Sequence, residues 1–203
     1  MCGAFGYDSK IDPHERYNFT NNVDLRHSYN IRPFMKTLVV NQANEGQIQT
    51  FAWKAPWGGN LLNAKAETAH VLKSFAKMFR ESRVIIPASF FFEWQKHEDK
   101  TKTPFLFKLK DTDAFSFAGI SNEEENAFAI LTTTPNLLME DVHARMPVIL
   151  PREFEEVWLN PDTEVEQLSE ILIPYDHELM ERYEVSTLVN NYRNQTAEII
   201  KPV

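Results

Sequence analysis

The sequence predicts an α+β fold, a curved, mostly antiparallel sheet or partly closed barrel flanked by helices. Short aromatic and β-branched runs crowd the middle of the chain between polar turns, and helical patterns lie on either side of them. With 6 glycines and 11 scattered prolines, no linker, repeat or low-complexity tract marks a boundary. Residues 1–203 therefore read as one domain, long enough to bury a sizeable core.

Asp12-Pro13 is a helix-opening pair, and the helix it opens is expected over residues 12–26. Residues 37–41 and 48–53 read as a strand pair across the turn-forming Asn44-Glu45-Gly46. Residues 64–80 read as a longer helix, with Val71, Leu72, Phe75, Met78 and Phe79 at helical spacing as its core face. Strands follow at residues 84–86, 90–94, 104–109, 115–119 and 127–133, with a hairpin loop over 122–126. After Thr134-Pro135 the pattern turns helical again. Pro151 opens a helix over 152–159, and further short helices are expected near 163–171 and 177–183.

Composition narrows the function classes. With 43% hydrophobic residues, 12% aromatics and both charge signs interspersed, the chain is globular rather than disordered or fibrous. A single cysteine excludes a disulfide framework. No run approaches roughly 18 apolar residues and no basic-plus-apolar leader opens the chain, so no membrane partner is expected and the cytosol is the expected location. The formal charge of −8 argues against nucleic acid, yet it is unevenly spread. Residues 1–110 carry 16 Lys and Arg against 10 Asp and Glu, whereas residues 111–203 carry 5 against 19. A positive face is compatible with that asymmetry, the acidic half reading as solvated helix surface.

Cys2 follows Met1 directly, so removal of one residue would place an amine and a thiol on the same two-carbon unit. Such a 1,2-aminothiol can act through sulfur, through nitrogen, or through both at one electrophilic carbon. Glu93 lies among Phe90, Phe91, Phe92 and Trp94; burial there would raise a carboxyl pKa, whereas strand alternation favours by a small margin the solvated face for it. His143, in Asp141-Val142-His143-Ala144-Arg145-Met146-Pro147, carries an imidazole, a group able to exchange protons with a thiol or amine, or is an ordinary surface histidine. His14, His27, His70, His97 and His177 show no ligand spacing with one another or with Cys2, so neither a metal nor another cofactor is expected. Asn63 stands where the 64–80 helix should begin and reads most simply as its N-cap; beside Lys65 it can alternatively hold an anion.

In order along the chain these segments resemble the SOS-response-associated peptidase family. Met1-Cys2-Gly3 opens the chain, Tyr29-Asn30-Ile31-Arg32-Pro33 resembles Tyr-Asn-x-x-Pro, and Asn63-Ala64-Lys65-Ala66-Glu67-Thr68 resembles Asn-Ala-Arg-x-Glu-Thr. Pro87-Ala88 with Glu93-Trp94, Phe117-Ala118-Gly119, the run from Ala129 to Thr133, His143-Ala144-Arg145-Met146-Pro147 and the run from Val185 to Asn191 follow. The resemblance implies a DNA-damage protein that binds abasic sites in single-stranded DNA, including junctions with duplex. It would link to them through a thiazolidine on Cys2 after autoproteolytic removal of Met1. It implies Cys2, Asn63, Glu93 and His143 as catalytic residues: Cys2 as nucleophile, Asn63 as orienting group, Glu93 as general acid and base, and His143 for the thiol proton. Lys65 and Arg145, with Arg32 as a further candidate, would contact phosphates. Asn30 and Thr132 would line the site, and Trp53 or Trp57 would stack on a base. A monomer is expected.

Departures from the family pattern fall at Ala4, Lys65 and Ala144, where Arg, Arg and Asp are usual. Phe90 stands near a frequent Gly and is expected to narrow the approach to Glu93. These bear on DNA affinity more than on the chemistry. Two other readings remain at this stage: an N-terminal-nucleophile amidohydrolase, and a module that binds single-stranded or damaged DNA without covalent capture.

Overall fold

A computed structural model describes residues 2–24 and 27–203. Five strands, Lys36–Asn41, Gly46–Phe51, Ala127–Thr133, Phe115–Asn122 and Arg83–Ala88, pair in a ring that closes on itself. All these pairings are antiparallel except that of Gly46–Phe51 with Ala127–Thr133. A second, wholly antiparallel sheet has the order Met180–Glu184, Lys102–Leu109, Phe90–Lys96, Phe5–Tyr7 and Ser28–Ile31, so strands from near both ends of the chain share it. The expected α+β class with a partly closed barrel is what forms.

Strand alternation divides the core. Along the ring, Val39, Phe51, Val84, Ile86, Phe117, Phe128 and Ile130 join Phe5, Phe91 and Phe107 of the second sheet in one aromatic cluster. Phe5 meets Phe51 and Phe117 edge-on at 5.6 and 5.7 Å, and Phe91 stacks on Phe107 at 5.0 Å. The opposite alternation, Leu38, Val40, Ile85, Ala118, Ala129 and Leu131, packs with Phe79, Trp158 and Leu168 from the helices. A third cluster covers the far face of the second sheet, where Ala4, Phe90, Phe92 and Leu106 meet Val185, Val189 and Ile199 of the C-terminal segment.

Gly119 shows how closely the ring is packed. A Cβ there would lie 2.2 Å from Ile86 Cδ1 and 2.9 Å from the Ala129 carbonyl oxygen. Gly119→Ala should therefore lower stability by about 1–3 kcal/mol in urea denaturation, the cost of overpacking a filled core. An unchanged midpoint would show that the ring has slack.

The structure departs from expectation at four helices. The Asp12 side chain does cap a helix, accepting from His14 N and Glu15 N, but the helix is only Pro13–Tyr17 and ends at Asn18 with φ 50°. The expected end at residues 25 and 26 lies outside the described residues. No single helix spans 64–80. Asn63–Lys65 is instead a strand parallel to Ala127–Thr133, followed by the short helices Ala66–Ala69 and Ala76–Glu81. A barrel strand offering free backbone partners outweighs helical periodicity, and Val71 and Leu72 are left exposed while Phe75 and Phe79 are buried. The stretch 135–142 forms turns, Met139 N and Glu140 N both bonding to Asn136 O. Residues 177–183 give one 3-10 turn, His177–Leu179, and then the strand Met180–Glu184, which is drawn to the open edge of Lys102–Leu109.

Other elements form where expected. Arg152–Leu159 is a helix behind Pro151, and Val165–Ile171 is the next. Their exposed faces carry Glu153, Glu156, Glu166 and Glu170, which accounts for part of the acidic excess as solvated surface. Among the described residues, no helix is long and apolar enough to cross a membrane.

Candidate active site

The site forms where the second sheet meets the ring. Phe5 pairs with Phe91, and Phe92 N donates to Ala4 O at 2.9 Å, so the N-terminal segment runs antiparallel beside Glu93. Cys2, at the start of that segment, is 0% exposed and belongs to the aromatic cluster between the sheets. Period-two alternation puts Glu93 on the same side as Phe91, while Phe90 and Phe92 point into the C-terminal cluster. Glu93 is accordingly buried, 4% exposed, which decides against the solvated face. The same alternation corrects the expectation for Phe90, whose ring lies on the opposite side over Gly6 and does not narrow the approach to Glu93.

Asn63 is no helix cap. The N-cap position belongs to Lys65, without a side-chain hydrogen bond, and Asn63 sits in a strand opposite Ile130. From there its Nδ2 donates to the carbonyl of Cys2 at 3.2 Å and to that of Ile130 at 3.4 Å. Its Oδ1 is buried and accepts no hydrogen bond among the described residues, so it is an acceptor available beside Cys2. Burial pushes the Cys2 thiol far up from its ordinary pKa, the nearby Glu93 charge raises it further, and Arg32 acts in the opposite sense. The thiol is therefore protonated at neutral pH.

The His143 loop closes the same end of the molecule. It is tied to the Glu93 strand by Gln95 Nε2, which donates to Asp141 O at 3.0 Å, and to the short helix that follows the Asn63 strand by Arg145, which bonds Glu67. The Arg145 backbone N–H donates to His143 Nδ1 at 3.1 Å, orienting the ring. Val142, Met139 and Met146 from this loop lie in the cluster that holds Cys2.

The remaining candidates separate. Arg145 is engaged by the protein itself: Nη1 and Nη2 make a two-pronged ion pair with Glu67 at 2.6 and 2.8 Å, and Nη2 also donates to Thr132 O. The Arg145 guanidinium holds the Glu67 carboxyl below its usual pKa. Thr132 is wholly buried, its Oγ1 donating to Ala64 O at 3.4 Å in the strand that carries Asn63. Asn30 is also wholly buried, its Nδ2 near the carbonyls of Val189, Asn191 and Asn194 at 3.1 to 3.4 Å. It fastens the C-terminal segment. Lys65 is exposed. Trp53 is packed edge-on against Phe75 in the core, whereas Trp57 is 70% exposed on a turn, so of these two Trp57 offers its ring face to a base. Arg32 stacks on Trp94 at 4.9 Å, with Nε donating to Asn30 Oδ1 and Nη2 to Val189 O, each at 2.6 Å. Sequence reasoning missed Glu67 as the partner of Arg145 because nothing local links residues 78 positions apart. Among the described residues, no group of three His, Cys, Asp or Glu side chains is placed to hold a metal ion.

A cysteine at position 2 whose carbonyl accepts from an asparagine amide, in the field of a buried glutamate on an α+β barrel, defines the class of protein. The chain belongs to the SOS response associated peptidase (SRAP) family, whose sequence model matches residues 1–192. It is 39% identical to the abasic site processing protein YoqW of Bacillus subtilis (strain 168), with 99% of each chain covered. It is 30% identical to the abasic site processing protein YedK of Escherichia coli (strain K12), with 86% of this chain and 84% of that one covered. A crystal structure of a protein from Bacteroides thetaiotaomicron superposes with a TM-score of 0.86 at 26% identity, covering 100% of both chains.

Proposed function

We propose that this protein captures abasic sites in single-stranded DNA, including junctions with duplex, by a covalent bond through Cys2 once Met1 has been removed. Met1 lies outside the described residues, and its removal, by the chain itself or by another peptidase, is part of the proposal. The observation that carries it is the hydrogen bond from Asn63 Nδ2 to the Cys2 carbonyl, made where Glu93 bears on the Cys2 thiol. Segments around residues 2, 63 and 93 have no reason to converge for folding alone, since an apolar side chain would fill the same space without burying an amide and a carboxylate. The relatives named for abasic site processing support the same substrate.

The chemistry follows from the two nucleophiles of a free Cys2. An α-amine titrates near about 7.7–8, so it is partly neutral at physiological pH while the buried thiol keeps its proton. Nitrogen therefore attacks first. The amine adds to the aldehyde of the ring-opened sugar, and loss of one water gives an imine, with Glu93 supplying and then recovering the proton. The thiol then adds to the same carbon. Its sulfur forms the new C–S bond and its proton ends on the former imine nitrogen, His143 serving as relay, which closes a five-membered thiazolidine. Asn63 Oδ1 would accept from the amine and hold it toward the sugar. Lys65, Arg32 and Arg145, the last after exchanging Glu67 for a phosphate, would hold the backbone, and Trp57 would stack on a base.

Mature protein incubated with single-stranded DNA carrying one abasic site should give a band that survives denaturation without borohydride. Cys2→Ser should leave no such band, since its amine can form only the reversible imine. A band of equal strength from Cys2→Ser would overturn the thiazolidine, and hydrolysis of glutamine with no adduct from wild type would favour an amidohydrolase. Intact mass, lower by one methionine, checks that the amine is free.

A further inference from the structure

We infer that Phe34 is a base-stacking residue that seats the nucleotide flanking the abasic site, working from the same turn as Arg32; this rests on the proposed capture of single-stranded DNA. Phe34 has φ 72°, a left-handed conformation that is costly for a bulky aromatic residue. It is nevertheless 48% exposed. The turn is held from both sides, Phe34 N donating to Phe51 O at 2.6 Å, Phe51 N to Met35 O at 2.8 Å and Met35 N to Arg32 O at 3.0 Å. Packing does not call for the ring, and the backbone would be more comfortable with glycine. An exposed aromatic kept in a strained, well-braced turn is explained by what it presents.

The turn presents it beside the nucleophile. Ile31 at its start and Met35 at its end both pack with the cluster that contains Cys2, and Arg32 is close enough for its charge to bear on the Cys2 thiol. Arg32 uses Nε on Asn30 and Nη2 on Val189, while Nη1 makes no hydrogen bond among the described residues. Two N–H groups on a half-buried guanidinium, rigidified by stacking on Trp94, suit an anionic oxygen. A cation and an aromatic ring two residues apart match the two recurring features of a single-stranded nucleotide, its phosphate and the face of its base. Trp53, buried against Phe75, cannot supply that face.

Phe34→Gly tests the inference cleanly because it removes the ring and relieves the strain, so the variant should melt no lower than wild type. Its affinity for single-stranded DNA without an abasic site, read by fluorescence anisotropy, should fall by about 5- to 150-fold, the range that base stacking on an aromatic residue is worth. Phe34→Tyr should restore binding and Phe34→Leu should not, which separates stacking from bulk. With 2-aminopurine placed on either side of an abasic site, wild type should quench one of the two positions and Phe34→Gly should not. Equal affinity, or unchanged quenching, in Phe34→Gly would overturn the assignment. Wild-type binding without any adduct would instead defeat the capture reaction and leave this inference standing on the anisotropy alone.

Discussion

Glu93→Gln should slow adduct formation by about 10²–10⁴-fold, the usual contribution of a positioned general acid and base. The glutamine preserves the shape of a side chain that is 4% exposed and flanked by buried phenylalanines, so loss of rate would not reflect loss of fold. The measurement is the single-turnover rate of the denaturation-resistant band, with thermal melting as control. A second readout comes from Cys2. The Glu93 charge is the second cause, after burial, that raises the Cys2 thiol, so its removal should let the thiol titrate lower. A thiol raised in the folded chain disfavours folding as pH climbs past its unfolded value of about 8.5, because the unfolded chain then ionises and the folded one does not. Wild type should thus lose stability above that pH, and Glu93→Gln should lose less. Wild-type adduct rates in Glu93→Gln would remove the carboxylate from the mechanism.

Arg83→Met should cost about 3–5 kcal/mol of folding stability, the sum of hydrogen bonds lost from one charged donor and of buried carbonyls left without it, each about 1–3 kcal/mol and not fully additive. Arg83 is 1% exposed. Its guanidinium donates to the carbonyls of Trp158 at 2.7 Å, Phe79 at 3.0 Å, Arg80 at 3.0 Å and Asn160 at 2.6 Å. These carbonyls belong to the C-terminal turns of Ala76–Glu81 and Arg152–Leu159 and the residue just beyond the second helix, or lie beside them, where the helix dipole is negative and no intrahelical donor remains. One cation therefore closes two helix ends on the ring. Burial lowers its pKa, yet a guanidinium stays charged, and the carbonyl dipoles take the place of a carboxylate. Arg83→Lys should recover little, since an ammonium cannot span the fork. Urea denaturation of both variants checks this, and a loss below about 1 kcal/mol would mean that water replaces the guanidinium.

How much was legible depended on where the partners of each segment lay. The strands at 83–88, 90–96, 102–109, 115–122 and 127–133 announce themselves through β-branched and aromatic residues between polar turns, and the helix Arg152–Leu159 through Pro151. Local chemistry decides such elements. Residues 64–65 and 180–183 fall within helical patterns because their own side chains permit it, but each lies at the edge of a distant strand whose backbone donors and acceptors need a partner. The side of the strand that carries Glu93 was equally hidden, since alternation is visible in sequence but the direction of the core is not.

The order of motifs in the sequence by itself determined the family, and the strand pattern determined the fold class, because both are written in residues near one another in the chain. Only the tertiary structure decided that Asn63 reaches the Cys2 carbonyl, that Glu93 is buried, that Arg145 is occupied by Glu67, and that Asn30 and Thr132 bond to backbone carbonyls of other segments. Those are contacts between segments tens of residues apart, and their partners are chosen by the closure of the ring and the packing of the second sheet against it. A hydrogen bond depends on where two atoms finish in space, which no local pattern encodes.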